Sequence, residues 1–284
     1  MSSELIHDAD AALTAQLQLS MEAEARAGLV APLFYREVQI SGPAKVYKVS
    51  KHPVTADAGA ITDGTAMDNT GINPTAITAT AAGVGLKGVI TDLSIKGSLL
   101  NDAEAFANFG RALINKMDAD GCNLLDNFGT TVGTSGADLT IANVLTAIYT
   151  QEEAAEMQNL VAVVDPIQVH NLRSEIVASS APVYAGGEGP LGGFLKGGVG
   201  NGAFKGSLFG IPFYATNNAY DDSTDKWGAI FAANRALLWA WLWQPMAESV
   251  RAPEYPGYTI SVHTCYGVAE VFDAGGVSLR TGRT

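Results

Sequence analysis

The chain has 284 residues, 47% of them hydrophobic, and a formal net charge of −12 at pH 7. A chain of this length and composition is globular and can bury one large core or two medium ones. The acidic balance disfavours the class of proteins that grip nucleic-acid phosphates, because that binding needs an excess of Lys and Arg on one face.

Several sequence features bear on the cellular compartment. The first residues, MSSELIHDADAAL, lack the basic region followed by an apolar region that a secretory signal needs. The apolar run over residues 236–243 is far shorter than the roughly 20 residues that cross a bilayer. Cys122 and Cys265 are too few for a disulfide framework and are predicted to be reduced thiols. We therefore expect a protein that is made and kept in a cytoplasm, without a membrane partner.

The N-terminal residues predict an amphipathic helix over positions 5–28. Its apolar stripe is formed by Leu13, Leu17 and Met21, and Pro32 ends the pattern. The stripe is narrow, which suits a segment that lies on a neighbour better than one that anchors a core.

Residues 46–54, VYKVSKHPV, alternate lysines with apolar residues in the manner of an edge strand. Lys45, Lys48 and Lys51 are candidate interface or cross-link residues, although protection of an exposed strand edge is the favoured interpretation. The following residues, 55–85, contain no aromatic and no basic side chain. Such a stretch cannot offset its own ordering entropy, so it is either a floppy insertion or a loop that neighbouring subunits order.

A long helix is predicted over residues 101–128. Asn101 and Glu104 form a variant of the capping box, and one face carries Phe106, Phe109, Leu113, Met117, Leu124 and Phe128. Gly110 and Gly121 either weaken the helix or let another backbone approach it. Three acids late in this segment are open to two interpretations, paired acids or a solvated helix side, and the second is favoured; they are Asp118, Asp120 and Asp126.

A second α/β unit follows a polar linker. A helix is predicted from Ile141 to about Met157, and the apolar run over residues 160–166 is typical of a buried strand. Asp165 is placed to cap the next helix and Pro166 to open it. A glycine-dense stretch over residues 186–206 then precedes strand-like sequence.

Three tryptophans, Trp239, Trp241 and Trp243, occupy alternate positions in ALLWAWLWQPM. Alternation in an extended strand places all three indoles on one face, with Leu238 and Leu242 on the other. Because both faces are apolar, we expect a strand that is covered on two sides, at a domain junction or a subunit contact.

Candidate chemistry is weak throughout the chain. In GGVGNGAFKGS the order Lys205, Gly206, Ser207 is not that of a phosphate-binding Walker loop. His263 and Cys265 share one face of a predicted strand about 7 Å apart, which is too long for a base and its nucleophile. The remaining histidines have no metal-ligand spacing; they are His7, His52 and His170. The sequence therefore predicts no catalytic, cofactor-binding or metal-binding residue.

Four segments, in a fixed order over most of the chain, carry a resemblance to a known family. They are NDAEAFANFG continuing to DADGCNLLDNF, then VAVVDPIQVHNL, then GSLFGIPFYATNNA, then the portion from GAIFAANRALLWAWLW to YGVAEVFDAGGVSL. In this order they resemble the major capsid protein of tailed bacteriophages, a fold shared with encapsulin shells and the floor of herpesvirus capsids. The high tryptophan density departs from what we expect of that family, so no role for Trp239, Trp241 or Trp243 is carried over.

The resemblance implies an α+β capsid fold with an N-terminal arm, an extended E-loop, a long spine helix, a peripheral domain and an axial domain. The implied division is 1–33 for the arm, 34–90 for the E-loop and its flanking strands, 91–130 with 228–284 for the peripheral domain, and 131–227 for the axial domain. No additional N-terminal segment of domain size is seen, so a separate scaffolding protein, or none, is expected.

The resemblance also implies a function and a set of partners. The chain is expected to be a non-enzymatic major capsid protein that assembles with itself into the hexamers and pentamers of an icosahedral head. Scaffolding, portal and decoration proteins are the expected protein partners, and packaged double-stranded DNA is enclosed without sequence-specific binding. The expected location is the virion capsid, after assembly in the host cytoplasm.

Three other functions remain alternatives at this stage. One is an encapsulin-type nanocompartment that holds a cargo enzyme. Another is a hydrolase that depends on Cys265 and His263. The third is an adhesin or other binding module, which is disfavoured because the long helix and the loop offer no obvious ligand face.

Overall fold

The structure, a computed structural model, describes most of the chain, namely residues 29–41, 45–51, 75–93, 102–154, 159–178, 194, 202–252, 254 and 256–283. The predicted helix over 5–28, His7 and His52 lie outside these residues, as do positions 55–74 of the aromatic-free stretch.

The first sheet has four strands in the order β1-β10-β11-β4. Its members are β1 (Arg36–Gln39), β10 (Leu237–Ala252), β11 (Gly257–Glu270) and β4 (Ala82–Thr91). β10 and β11 form a long antiparallel hairpin, β4 pairs antiparallel with β11, and β1 runs parallel to β10. We call this the hairpin sheet.

The second sheet has six strands in the order β5-β12-β9-β6-β8-β7. They are β5 (Thr131–Val132), β6 (Leu160–Val164), β7 (Phe204–Leu208), β8 (Ile211–Ala215), β9 (Asp225–Ala232) and β12 (Gly276–Gly282). β6 is buried at all five positions, as its continuous apolar run predicts, and it pairs with β8 in parallel and β9 in antiparallel orientation. The chain leaves this sheet after β9 to build the β10–β11 hairpin and returns as β12.

Two helices cover one face of the six-stranded sheet. They are α2 (Ile141–Glu153) and α3 (Pro166–Ala178). Both begin where the sequence predicts, but α2 ends at Glu153 and not at about Met157. Thr140 caps α2 by accepting from the Asn143 N–H, and Asp165 caps α3 by accepting from the Ile167 N–H at 2.9 Å. The core on this face includes Val144, Ala147, Leu172, Ile176, Phe213 and Ile230.

The long helix, α1 (Asp102–Cys122), lies between the two sheets. Leu113 and Met117 on its buried face share one core with Trp239 and Val262 of the hairpin sheet and with Phe231 of the six-stranded sheet. Gly121 permits a close approach, since a Cβ at this position would lie 3.2 Å from Ala31 Cβ and 3.3 Å from the Trp239 ring. The groups that approach Gly121 are side chains and not the predicted second backbone.

The remaining two strands, β2 (Val46–Lys51) and β3 (Thr75–Thr80), form an antiparallel two-stranded sheet that we call the lysine hairpin. Its apolar side packs on the face of the hairpin sheet that points away from α1, in a core with Leu238, Ala240 and Cys265. β3 passes into β4 through the single residue Ala81, which is buried.

Two further predictions are corrected by the structure. The long helix ends at Cys122 and not at Phe128, because residues 123–126 turn back with short-range bonds such as Leu125 N to Cys122 O at 3.0 Å. Phe128 is nevertheless buried, as the stripe predicts. Positions 75–80 and 82–85 of the aromatic-free stretch are strand, because pairing with β2 and β11 supplies the order that their composition lacks.

The tryptophan strand confirms the predicted two-sided burial but not the single face of indoles. Trp239 and Trp241 are buried on the α1 side, and Trp239 stacks on Tyr266 with ring centroids 4.6 Å apart. A register shift follows Trp241, so Trp243 pairs with Cys265, a residue of the opposite core. Trp243 therefore leaves the row of indoles and is 38% exposed.

The bulge yields a matched test of the buried indole. Trp239→Ala removes a fully buried side chain and should lower the free energy of unfolding by about 3–5 kcal/mol. Trp243→Ala removes a half-exposed indole of the same strand and should cost less than about 1 kcal/mol. Urea unfolding followed by far-UV circular dichroism measures both, and equal losses would contradict the assignment of the two faces.

Candidate functional site

A buried carboxylate joins three parts of the chain that are distant in sequence. Asp118 on α1 is fully buried, and its Oδ1 accepts the backbone N–H groups of Val30 and Ala31, both at 2.9 Å. Its Oδ2 accepts the Thr216 hydroxyl and the Asn218 amide, the latter at 3.0 Å. The carboxylate therefore ties the segment before β1 and the loop after β8 to the long helix.

The charge of Asp118 is held by hydrogen bonds. Among the described residues it forms no ion pair with Lys or Arg, so the four donors take the place of water around the carboxylate. Removing any one donor would leave a buried charge under-solvated. This requirement fixes the positions of residues 29–31 and 216–218 relative to α1.

Two neighbouring groups register the same environment. Burial raises the pKa of the Cys122 thiol, and the nearby charge of Asp118 raises it further. Burial also raises the pKa of the Tyr35 hydroxyl, which donates to Gly121 O at 2.6 Å. Both groups are held neutral, so neither of them adds a charge to the surroundings of Asp118.

The prediction that Asp118, Asp120 and Asp126 form a solvated helix side is wrong for Asp118. Asp118 directly follows Met117 on the buried face, and its donors come from residues about 90 positions away in either direction along the chain. Asp120 is partly buried and accepts the Tyr266 hydroxyl at 2.7 Å and the Lys116 ammonium at 2.6 Å. Burial raises the pKa of Asp126, which lies beyond the helix end.

A second carboxylate, that of Asp225, joins a loop to two strands of the six-stranded sheet. Asp225 at the start of β9 accepts the Gly136 N–H at 2.8 Å, the Ser135 hydroxyl at 2.7 Å and Arg280 Nε at 2.7 Å. These contacts, the Gly136 N–H first, lower the pKa of Asp225. The carboxylate therefore fastens the loop after β5 to β9 and β12.

The candidate nucleophile lies in a core. Cys265 is only 2% exposed, and burial raises the pKa of its thiol. His263 lies two positions away on the same strand and is half-buried. A thiol that is both buried and held protonated lacks the two properties that a catalytic cysteine needs.

The other candidate residues from the sequence do not come together in a phosphate-binding or metal-binding site within the described part of the chain. Lys205 and Ser207 lie on strand β7, and no helix follows them, so the phosphate-loop interpretation remains rejected. Within the described part of the chain, no group of three or more His, Cys, Asp or Glu side chains is arranged to hold a metal ion. In that same part, no helix is long and apolar enough to span a membrane.

The lysines of the lysine hairpin lie on or beside β2. Lys45 and Lys48 are exposed, whereas Tyr47 and Val49 between and beyond them pack on the hairpin sheet. The alternation predicted from VYKVSKHPV is therefore confirmed for this strand. Lys48 points outward and pairs with Thr78 of β3, so the outer face of the lysine hairpin is polar.

Comparisons with known proteins show which solved structures share this architecture. No family model matches the sequence, and no curated protein matches it. The capsid structure of the cyanophage P-SCSP1u is similar with a TM-score of 0.65 and 13% identity, over 91% of this chain and 89% of that chain. The mature capsid of bacteriophage PhiM1 is similar with a TM-score of 0.65 and 11% identity, over 90% and 88%. A virus-like particle from Pyrococcus furiosus gives 0.60 and 11%, over 93% and 98%.

The chain has the tailed-phage capsid fold. The α+β class and the family resemblance predicted from the order of segments are thus confirmed. In this capsid fold the long helix and the two larger sheets are connected through Asp118 and the core around Trp239, and the lysine hairpin packs on the other face of the hairpin sheet.

The carboxylate of this capsid fold can be tested with an isosteric variant. Asp118→Asn keeps the shape but turns an NH₂ group toward two donors, and should lower the free energy of unfolding by about 2–4 kcal/mol. Asp126→Asn is the control, because Asp126 Oδ1 is buried without a hydrogen-bond partner among the described residues. Urea unfolding at pH 7 measures both, and equal losses would contradict the role of Asp118.

The effect of the control variant Asp126→Asn on stability should depend on pH. Because the folded-state pKa of Asp126 is raised above its usual 3.8, ionisation destabilises the fold, and this penalty grows as the pH rises from that value through the raised pKa. Asp126→Asn removes the penalty. The variant should therefore be as stable as the wild type at pH 3 and slightly more stable at pH 7 in the same urea experiment.

The two thiols should be unreactive in the folded protein. Cys122 and Cys265 are buried with raised pKa values, so a thiol-specific reagent at pH 8 should label them only as fast as the protein unfolds. The measurement is labelling with and without denaturing urea. Rapid labelling of Cys265 in the native protein would support the hydrolase alternative.

Proposed function

We propose that the chain is the major capsid protein of a tailed bacteriophage, which assembles with itself into an icosahedral shell around double-stranded DNA. The supporting observation is the likeness to the cyanophage P-SCSP1u capsid over about nine-tenths of both chains. The expectation from the order of segments, drawn without any structure, supports the same function.

The distribution of surface supports a protein that is completed by copies of itself. β4 is a ten-residue edge strand of the hairpin sheet, and both strands of the lysine hairpin lack a further partner strand among the described residues. Open edges and apolar side chains are the surfaces that association covers. The exposed large apolar residues are spread over both sheets and the helices, and include Leu33, Leu86, Val89, Leu145, Tyr149, Val177 and Val250.

We further propose the domain division implied by the resemblance. It assigns 1–33 to the arm, 34–90 to the E-loop with its flanking strands, 91–130 and 228–284 to the peripheral domain, and 131–227 to the axial domain. The lysine hairpin supplies the base of the proposed E-loop, and α1 is the proposed spine helix. Within 228–284, β12 pairs in the six-stranded sheet, so this range contributes to both sheets.

The proposed protein acts by structure and binding. Its partners are copies of itself in hexamers and pentamers, together with scaffolding, portal and decoration proteins, and its place is the virion capsid after assembly in the host cytoplasm. The net charge of −12 suits a container whose lining does not adhere to DNA during packaging. The buried, protonated Cys265 supports a role without catalysis.

The second candidate is a nanocompartment shell that encloses a cargo protein. The likeness to a particle from Pyrococcus furiosus that is described as virus-like, over 98% of that chain, supports a shell other than a phage head. The two functions differ in content, since one shell encloses DNA and the other encloses protein.

Electron microscopy of the purified, concentrated full chain tests the proposal. We expect uniform closed particles, because many modest interfaces add through multivalency. Particles recovered from cells that carry the chain's neighbouring genes are then treated with nuclease. Protected double-stranded DNA supports the phage head, whereas an enclosed enzyme supports the nanocompartment. A monodisperse monomer under all conditions would overturn both.

A further inference from the structure

The hairpin sheet has an open strand edge on each of its two sides. β4 is paired with β11 along its whole length and has no strand on its other side among the described residues. At the opposite side of the sheet, β1 pairs with β10 only from Leu238 to Trp241. Pro245 lies farther along β10, and proline within a strand is typical of an edge. Residues 243–252 of β10 therefore form a second open edge in the described part of the chain.

The two open edges run in the same direction, because β10 and β4 are each antiparallel to β11. The Asp92 N–H donates to Pro256 O at 2.7 Å, and the alternation of an antiparallel pair then turns the N–H and C=O groups of Gly85 and Lys87 out of the sheet. The same alternation, continued across β11, turns the N–H and C=O of Ala247 out of the sheet at the β10 edge. A second copy can therefore continue the sheet by placing its β10 parallel to β4.

The side chains of these strands form rows across the outer face of the sheet, which is the face that carries Cys265 and points away from α1. Each row begins on β10, crosses β11 and ends on β4. The rows are Met246–His263–Gly85, Glu248–Ser261–Lys87 and Val250–Thr259–Val89. Within one copy, the two ends of a row lie roughly 9.5 Å apart, because β11 separates them.

The charged row is complementary to the same row of a second copy. In a continued sheet, Lys87 lies directly beside Glu248 of the next copy, at the spacing of neighbouring strands. Both side chains are exposed, and neither has an ion-pair partner among the described residues. The other charged side chains of residues 82–92 and 243–252 are Asp92 and Arg251, which pair with each other within one copy at 2.9 Å. The charges at the two edges are therefore left to pair with each other.

The two rows on either side of the charged row match in polarity and size. Val89 is 47% exposed and Val250 is 63% exposed, and the same alignment places these two side chains next to each other across the contact. Met246, which is 41% exposed, lies beside Gly85, which has no side chain to oppose it. One register thus brings opposite charges, two apolar side chains, and a large and a small residue together.

Neither edge matches a copy of itself. β4 contains no acidic residue, so a contact between two β4 strands leaves Lys87 without a counter-ion. In an antiparallel contact between two β10 strands, Glu248 cannot meet Arg251, because the two lie three positions apart and on opposite faces. Lysine on an edge strand protects it from pairing with its own kind. The charges therefore favour β10 of a second copy as the partner of β4.

We propose that the β4 edge of one copy of this chain pairs with residues 243–252 of β10 in the next copy, so that the hairpin sheet continues from subunit to subunit. Ala247 of the next copy donates its N–H to Gly85 C=O and accepts the Lys87 N–H. The contact is head-to-tail, and it closes into a ring when the rotation between copies divides a full turn. This inference rests on the proposed function, since it names a contact that joins neighbouring subunits of the shell.

Disulfide formation tests the contact directly. In the double variant Val89→Cys/Val250→Cys, the two positions of one copy are about 9.5 Å apart, beyond the limit of about 7 Å between Cα atoms that a disulfide can bridge. Mild oxidation should therefore join only different copies and give a ladder of covalent multiples on a non-reducing gel. The native thiols are buried and do not compete.

Two controls decide what the ladder means. Val177→Cys/Val250→Cys carries the same number of added thiols, and Val177 is 69% exposed on α3. A ladder no stronger than that of this control overturns the inference, whether or not the wild type forms particles. Val89→Cys alone should stay monomeric on the gel. Equal amounts of covalent dimer from this single variant would show that β4 pairs with β4, and would also overturn the inference.

Charge reversal provides the second measurement. Lys87→Glu and Glu248→Lys should each keep the far-UV spectrum and raise the protein concentration needed for assembly by about tenfold or more, because the loss repeats at every contact. The double variant Lys87→Glu/Glu248→Lys should restore assembly. Glu152→Lys makes the same charge change at an exposed position of α2 and should assemble as the wild type does.

The outcomes separate this contact from the proposed function. If the wild type assembles and the double reversal assembles no better than either single variant, the inference fails while the proposed function stands. A ladder from Val89→Cys/Val250→Cys without closed particles from the wild type would support the contact and contradict the proposed shell.

Discussion

The burial of one carboxylate constrains the rest of this protein. Asp118 carries its charge into the interior with no described cation beside it, so its four hydrogen-bond donors must be in place. Those donors belong to the segment that precedes β1 and to the loop that follows β8. The two sheets are thereby held in one arrangement around α1, because displacement of either segment would leave a buried charge uncompensated.

The aromatic core completes what the carboxylate begins. Trp239 stacks on Tyr266 and lies against Gly121 of α1, while Tyr35 donates to the Gly121 carbonyl. The polar and apolar contacts thus converge on the last turn of one helix. These contacts fix the place where the two sheets join, while open strand edges and exposed apolar side chains remain at the surface. Such an arrangement suits the shell protein proposed above.

Burial also governs the titratable side chains of the interior. The thiols of Cys122 and Cys265 and the hydroxyl of Tyr35 are placed in apolar surroundings that favour their neutral forms. Depressed pKa values occur at Asp225, where backbone and side-chain donors fasten a loop to the sheet. These titratable groups therefore serve to fix segments of the chain in place.

The local sequence pattern was sufficient to predict the elements that their own residues specify. Continuous apolar sequence determined β6, the Asp165–Pro166 pair determined the start of α3, and the lysine alternation determined β2. The resemblance to the tailed-phage capsid fold was carried by four longer segments in a fixed order. Tertiary structure alone decided the rest: the burial of Asp118, the bulge that turns Trp243 to the other face, and the strands over residues 75–85. In each of these cases the stabilising partner lies far away in the chain, where no short-range periodicity can reveal it.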